Sequence, residues 1–257
     1  MSELLYYDLK DAAGVVPSLA TQVCRELGRR IVAGHLREGE LIDDENRLCE
    51  RFGVSKSVIR EAVKLLVGKG MLEVRRGHGT RVRRRASWNL LDDDVLAWHQ
   101  GFEPRSDFLR QLMDVRQVIE PNAAAWAARS ATEAQIAAVR LAQANMEGAP
   151  SVQDFVVADA QFHRAVLRAA NNEVLMAMEG VIFSSLLSSI RLTNADPRDN
   201  KRSVPLHRKV LNAIEARDAE AASNAMKEHL EDTRARLAGA LSAKDTKGGH
   251  RHLRDRT

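Results

Sequence analysis

Apolar residues recur at helical spacing from Pro17 onward. Leu19, Val23, Leu27 and Ile31 fall every fourth position, Arg25, Arg29 and Arg30 lie on other faces, and Gly34 marks the stop. The run to Gly39 has the composition of a turn. A second helix is predicted from Asp44 to Phe52, with Asp43 or Asp44 as N-cap and Leu48 and Phe52 on one face, before Gly53-Val54 interrupts it. Ser55 then N-caps a third helix, Lys56 to Val67, whose apolar positions are Ile59, Ala62, Val63 and Leu66. Gly68-Lys69-Gly70 ends that helix, and 71–76 and 80–82 have the pattern of two short strands around Gly77-His78-Gly79.

Helix, helix, tight turn, helix, hairpin is the order of a winged helix-turn-helix, placed here over 17–84. The first 16 residues lack periodicity and are expected to form a flexible arm. Arg83-Arg84-Arg85 followed by Ala86-Ser87 looks like a linker, so 85–104 is assigned to linker and short helix. Beyond it the pattern is almost entirely helical. Alanine-rich amphipathic stretches cover 107–129, 132–147, 151–170, 173–192, 203–216 and 218–241, punctuated by Pro104, Gly148-Ala149-Pro150, Asn171-Asn172 and Asn194-Ala195-Asp196-Pro197. The chain is therefore expected to be mainly α, with an all-α helical bundle over 105–242. The polar, basic stretch 243–257 is expected to be a disordered tail.

Hydrophobic residues at 44% with 29% charged residues describe a globular chain, and 257 residues suit two domains. No window approaches twenty consecutive apolar residues, which excludes a membrane helix. The first residues carry acids and no uninterrupted apolar run, so no secretory signal is expected there. Two distant cysteines, Cys24 and Cys49, exclude a disulfide framework and a cysteine zinc site, and fit a reducing, cytoplasmic setting. Charge sharpens the division. Residues 1–87 hold 17 Lys+Arg against 12 Asp+Glu, residues 88–242 hold 17 against 21, and 243–257 hold 5 against 2. A basic first third suits a polyanionic partner.

In a helix-turn-helix the second helix of the pair enters the major groove with its N-terminal residues nearest the bases. That helix opens Ser55-Lys56-Ser57 and carries Arg60 one turn later. The hydroxyls and the ammonium can anchor phosphates, and the Arg60 fork can pair with both acceptors of a guanine. Arg76, Gly77 and His78 form the wing tip, where a small-residue turn lets backbone and a cation approach the duplex. Three histidines, His163, His207 and His229, lie inside helices of the second domain, and Asp159 sits one turn before His163 on the same face. Two ligands at i and i+4 plus single histidines from two other helices are what a bundle metal site needs; a set of unrelated core or surface histidines is the alternative.

Residues 41–82, LIDDENRLCERFGVSKSVIREAVKLLVGKGMLEVRRGHGTRV, strongly resemble the DNA-binding domain of the GntR family of bacterial transcription regulators. The resemblance implies operator-contacting roles for Ser55, Lys56, Ser57, Arg60, Arg76 and Gly77. Ile42-Asp43-Asp44 departs from the family's Leu-Pro-Ser, Asn46 stands where many members have Arg, and Lys56 replaces an Arg with loss of bidentate geometry. The second domain is similar to the FCD effector domain of the FadR subgroup, through Arg116 in VRQVIEPNAAAWAA, Asp159-Ala-Gln-Phe162-His163, Asn172-x-x-Leu175 and His207-x-x-x-Leu211-x-Ala213-Ile214. It implies that Asp159, His163, His207 and His229 ligate a divalent cation, zinc first, with manganese or nickel also suited to the donors. It also implies that Arg116 pairs with an effector carboxylate; an i, i+4 salt bridge to Glu120 is the competing role. The block from Trp88 to Trp98 is similar to galactonate-responsive and other sugar-acid repressors, although both tryptophans could simply pack the linker against the bundle.

Together these resemblances imply a homodimeric, ligand-responsive repressor on a palindromic double-stranded DNA operator, released by a small carboxylate effector, a sugar acid with galactonate as lead. A regulator of lactate, citrate or a fatty-acid-type ligand, a metal-dependent enzyme and a purely architectural DNA-binding protein are the alternatives. No sequence feature requires chemistry, so no catalytic residue is assigned.

Overall fold

Four-residue spacing drifts 40° per step on a helix that turns 100° per residue, so a stripe at Leu19, Val23, Leu27 and Ile31 cannot stay wholly on one face. In the computed structural model, which describes residues 3, 6, 7, 17–101, 106–193 and 197–251, helix α1 (Leu19–Val32) resolves this by exposing Leu19 and turning Ala20 and Cys24 inward beside Val23, Leu27 and Ile31. The chain divides into two units, Met1–Glu103 and Pro104–Thr257.

In the first unit α2 (Glu45–Phe52) begins at Asp44, whose carboxylate accepts from the backbone N–H groups of Asn46 and Arg47, and stops at Gly53 in the left-handed region. Helix α3 (Lys56–Gly68) follows after a tight turn. Gly70 then takes φ +72°, with the Ser87 carbonyl so near that a Cβ would lie 2.2 Å from it; both facts exclude a side chain. Strands β1 (Leu72–Arg75) and β2 (Gly79–Val82) pair antiparallel with Leu72 opposite Val82, the wing of the predicted fold.

The segment expected to be a linker is part of this unit. After a 3₁₀ turn (Arg85–Ser87), α4 (Asp93–His99) is capped by the Asp92 carboxylate. Trp88, Val95 and Trp98 are buried in one core with Val23, Leu27, Leu48, Ile59, Leu66 and Met71, so the two tryptophans pack within the first unit. Burying each large apolar side chain is worth about 1.5–3 kcal/mol, more than an open linker can offset. Lys69 seals the join, its ammonium 2.7 Å from both Asp92 and Asp94. Of the expected flexible arm, only Glu3, Tyr6 and Tyr7 lie among the described residues. They are held: Tyr6 Oη donates to Asp93 at 2.7 Å, Tyr7 Oη to Asp94 at 2.6 Å, and Glu3 pairs with Arg29.

The second unit is all helix among its described residues: α5 (Ser106–Ser130), α6 (Glu133–Glu147), α7 (Val152–Ala169), α8 (Glu173–Ala177), α9 (Glu179–Thr193), α10 (Pro197–Glu215) and α11 (Ala219–Arg251). Helix α5 packs on α11 and α7, α6 on α7 and α10, and α10 on α11. A capping box of Thr132 and Gln135 starts α6, and Ser151 and Asn172 cap α7 and α8. The predicted stretch 173–192 is two helices, divided at Met178. Helix α10 begins at Pro197, ahead of the predicted 203, with Pro205 inside it, and α11 continues to Arg251, into the stretch expected to be a disordered tail.

Candidate metal centre and nucleic-acid interface

One turn of α7 places Asp159 and His163 on a single face, and α10 and α11 bring His207 and His229 to it. All four are buried, and one donor atom from each lies within 4.8 Å of the others. His163 Nε2 is 3.3 Å from His207 Nε2, and Asp159 Oδ1 is 2.7 Å from His207 Nε2 and 3.5 Å from His163 Nε2. The sequence-predicted ligand set is therefore brought together from three helices.

Neighbours orient the rings. His207 Nδ1 donates to the Ser203 carbonyl, one turn back on α10, at 2.9 Å; a carbonyl can only accept, so Nδ1 carries a proton and Nε2 is the nitrogen that faces the cluster. Phe162 meets His163 and His207 edge-on, with centroids 5.8 and 4.9 Å away. His163 turns Nδ1 against the Glu120 carboxylate of α5 and Nε2 toward the cluster.

The same carboxylate takes the Arg116 Nε at 2.5 Å, so the i, i+4 pair that competed with a ligand role for Arg116 is formed. It uses only part of the guanidinium. Nη2 also lies 3.4 Å from His163 Nε2, and Nη1 is buried without a partner. Arg116 thus borders the histidine cluster with donor capacity left over.

Electrostatics show what the cluster lacks. Burial pushes the Asp159 carboxyl up, but contact with His163 and His207 outweighs this and holds it well below the usual range. Burial likewise opposes ionisation of Glu120, yet the Arg116 and His163 charges hold its pKa down to about 2. Burial, reinforced by His207 and His163, keeps His229 neutral. Asp159 Oδ1 and His229 Nδ1 are buried with no hydrogen-bond partner, as is His163 Nδ1 despite its ion-pair contact with Glu120, a cost of about 1–3 kcal/mol for each neutral group and more for a charged one. A divalent cation would satisfy the Asp159 carboxylate, and one carboxylate with three imidazoles is a donor set that fits it. The buried cluster points to a divalent metal site.

In the first unit, Ser55, Lys56, Ser57 and Arg60 are exposed at the N-terminal end of α3, and Arg76, Gly77 and His78 at the tip of the wing. Arg60 and His78 share one cleft between α3 and the hairpin with Lys64 and Val74. Ser55 occupies the N-cap position, but its hydroxyl bonds Ser57 Oγ at 2.8 Å instead of a helix N–H. Arg60 is held from α2: its Nε and Nη2 donate to the two carboxylate oxygens of Glu45 at 2.8 and 3.0 Å. Sequence reading did not assign Glu45 or Ser203 any role at these sites and saw Glu120 only beside Arg116. The i−4 spacing of Ser203 to His207 was a usable signal; Glu45 and Arg60 lie in different helices with none.

Among known proteins, the sequence model of the bacterial regulatory proteins of the gntR family matches residues 19–82, and that of the FCD domain matches residues 111–232. The chain is 33% identical over 204 residues to the galactonate operon transcriptional repressor of Escherichia coli K12, covering 77% of this chain and 88% of that one. It is 28% identical to the Glc operon transcriptional activator of the same organism, over 84% of this chain and 87% of the relative. In fold it is similar to Lar, which controls expression of the Listeria monocytogenes agr system, with a TM-score of 0.62 at 17% identity over 88% of this chain and 99% of that one. These relatives are regulators of transcription, not enzymes, and with a DNA-binding unit and an FCD unit each matched, the chain belongs to the GntR family of transcription regulators.

Proposed function

We propose that this regulator is a homodimeric, cytoplasmic repressor of a sugar-acid catabolic operon, released from a palindromic operator when a carboxylate effector binds in the FCD unit. The observation that carries the reading is the buried Arg116 guanidinium beside the Asp159–His163–His207–His229 cluster with Nη1 unpartnered. A guanidinium and a cation site facing one buried region select an anionic, oxygen-rich small molecule. The relative of 33% identity is a galactonate operon repressor, which supports galactonate as the lead effector.

Asp159, His163, His207 and His229 would hold the cation, zinc first among zinc, manganese and nickel, which supplies a Lewis-acidic centre for carboxylate and hydroxyl oxygens. Arg116 orients the carboxylate. On DNA, Ser55, Lys56 and Ser57 anchor phosphates, Arg60 reads a guanine, and Arg76, Gly77 and His78 carry the wing onto the backbone. The effector acts by binding one arrangement of the dimer more tightly than the other. A second reading, effector-dependent activation, is favoured by the likeness to the Glc operon activator.

A thermal-shift panel of galactonate, gluconate, hexuronates, citrate and lactate on zinc-loaded protein tests the reading. Ligand at about 100 times its dissociation constant adds about 2.7 kcal/mol of stability, and galactonate is expected to give a shift that His163→Ala abolishes. A shift with lactate or citrate alone moves the assignment to that acid; no shift with any acid removes the carboxylate sensor.

A further inference from the structure

Beyond the four cluster residues, the geometry points to Glu120 as a positioning residue for the metal centre, an inference that rests on the metal-site reading. Imidazole presents only one lone pair when neutral, and the nitrogen that keeps its proton decides which face can ligate. His163 has its Nδ1 against Glu120 Oε2 and its Nε2 in the cluster, 3.3 Å from His207 Nε2. A carboxylate facing Nδ1 favours the proton there, which makes Nε2, on the side of Asp159 and His207, the nitrogen that a cation can take. Ser203 gives His207 the same orientation from a backbone carbonyl. Glu120 differs in being charged, and a charged acceptor makes the opposite nitrogen a stronger donor to a cation.

A buried, isolated carboxylate would be costly, and the structure meets that cost locally. Glu120 is 1% exposed, and Arg116, one turn earlier on α5, donates Nε to Oε1 at 2.5 Å. Oε2 takes Arg116 Nη2 only at 3.4 Å and lies against His163 Nδ1. The Arg116–Glu120 pair is therefore more than a helix salt bridge: it delivers a stabilised anion to the back of a metal ligand from an element, α5, that contributes no ligand itself.

The test is a Co²⁺ titration of the full chain followed by visible absorption, comparing wild type, Glu120→Gln and His229→Ala. The amide has the shape of the carboxylate but no charge. Glu120→Gln is expected to weaken Co²⁺ binding 10–100-fold and alter the absorption band, while its unfolding midpoint in EDTA stays close to that of the wild type. Wild-type affinity and spectrum in Glu120→Gln, with His229→Ala impaired, would overturn this inference and leave the metal site standing. Failure of wild type to take up Co²⁺ would overturn both. Should Glu120→Gln not fold, ¹⁵N NMR of histidine-labelled, zinc-loaded wild type decides: His163 protonated at Nδ1 and metal-bound at Nε2 is expected, and the reverse tautomer sinks the proposal.

Discussion

Glu45 grips Arg60 by one edge of its guanidinium. Nε and Nη2 donate to the two carboxylate oxygens, 2.8 and 3.0 Å away, which leaves Nη1 and the second Nη2 proton along the free edge of the fork. That edge is the one an arginine uses end-on against guanine O6 and N7. Both side chains are exposed, so the pair adds little stability, but it fixes the direction of the fork. Arg60→Ala is expected to cost about 1–3 kcal/mol on promoter DNA with little change on nonspecific DNA. Glu45→Ala should give a smaller, same-direction loss. Fluorescence anisotropy on both DNAs checks this; equal losses on the two would make Arg60 a phosphate contact.

Gly28 lies under the Trp98 ring, where a Cβ would come within 2.1 Å of a ring carbon. Alanine there gains about 1 kcal/mol of helix propensity. Forcing a methyl into a closed contact with an indole costs about 1–3 kcal/mol, and a rigid ring cannot yield locally, so the steric cost wins. Gly28→Ala should lower the unfolding midpoint of the first unit by several degrees, read by Trp fluorescence. A raised midpoint would show that α4 is not packed as described.

His99 carries a pH dependence whose sign is fixed by its contacts. Burial is the largest cause that brings its pKa down to about 4, the bond to the Val95 carbonyl opposes this, and the Arg85 charge adds to it. Nδ1 donates to Val95 O at 2.6 Å and Nε2 accepts from Arg85 at 2.9 Å, so a second ring proton would point at a guanidinium. Between pH 4 and 6.5 the unfolded chain binds the proton that the folded chain refuses. Stability from His99 is thus full above about 6.5 and lost as pH falls toward 4, on the order of 3 kcal/mol. His99→Gln should flatten the denaturant-measured stability across that window; an unchanged slope would contradict the burial argument.

The fold and much of the site were legible because their signals are local. Alternation gave the hairpin, four-residue spacing gave α1 and α7, and Asp159-x-x-x-His163 is visible on one line of sequence. The linker was misread because nothing local distinguishes Trp88 and Trp98 packing on α1 from packing on a bundle; Gly28, which makes room for the ring, lies 70 residues earlier. The contacts that tune the sites were hidden for the same reason, because Glu45–Arg60 and Glu120–His163 are pairings between helices.

Metal should stabilise the second unit through four named residues. Zinc added to EDTA-treated protein is expected to raise the unfolding midpoint, and His207→Ala or His229→Ala to remove most of that rise, since each leaves three donors. Equal stabilisation of both variants would place the cation elsewhere.

The most direct measurement is the affinity of zinc-loaded protein for its own promoter DNA, followed by anisotropy while galactonate is added, in wild type and Arg116→Ala. Wild type is expected to release DNA as galactonate binds, with at least a fivefold loss of affinity, the lower end of ordinary allosteric coupling. Arg116→Ala should hold the DNA at the same galactonate concentrations. DNA affinity that stays constant while calorimetry shows galactonate bound, or an equal loss in Arg116→Ala, would contradict the carboxylate-release account.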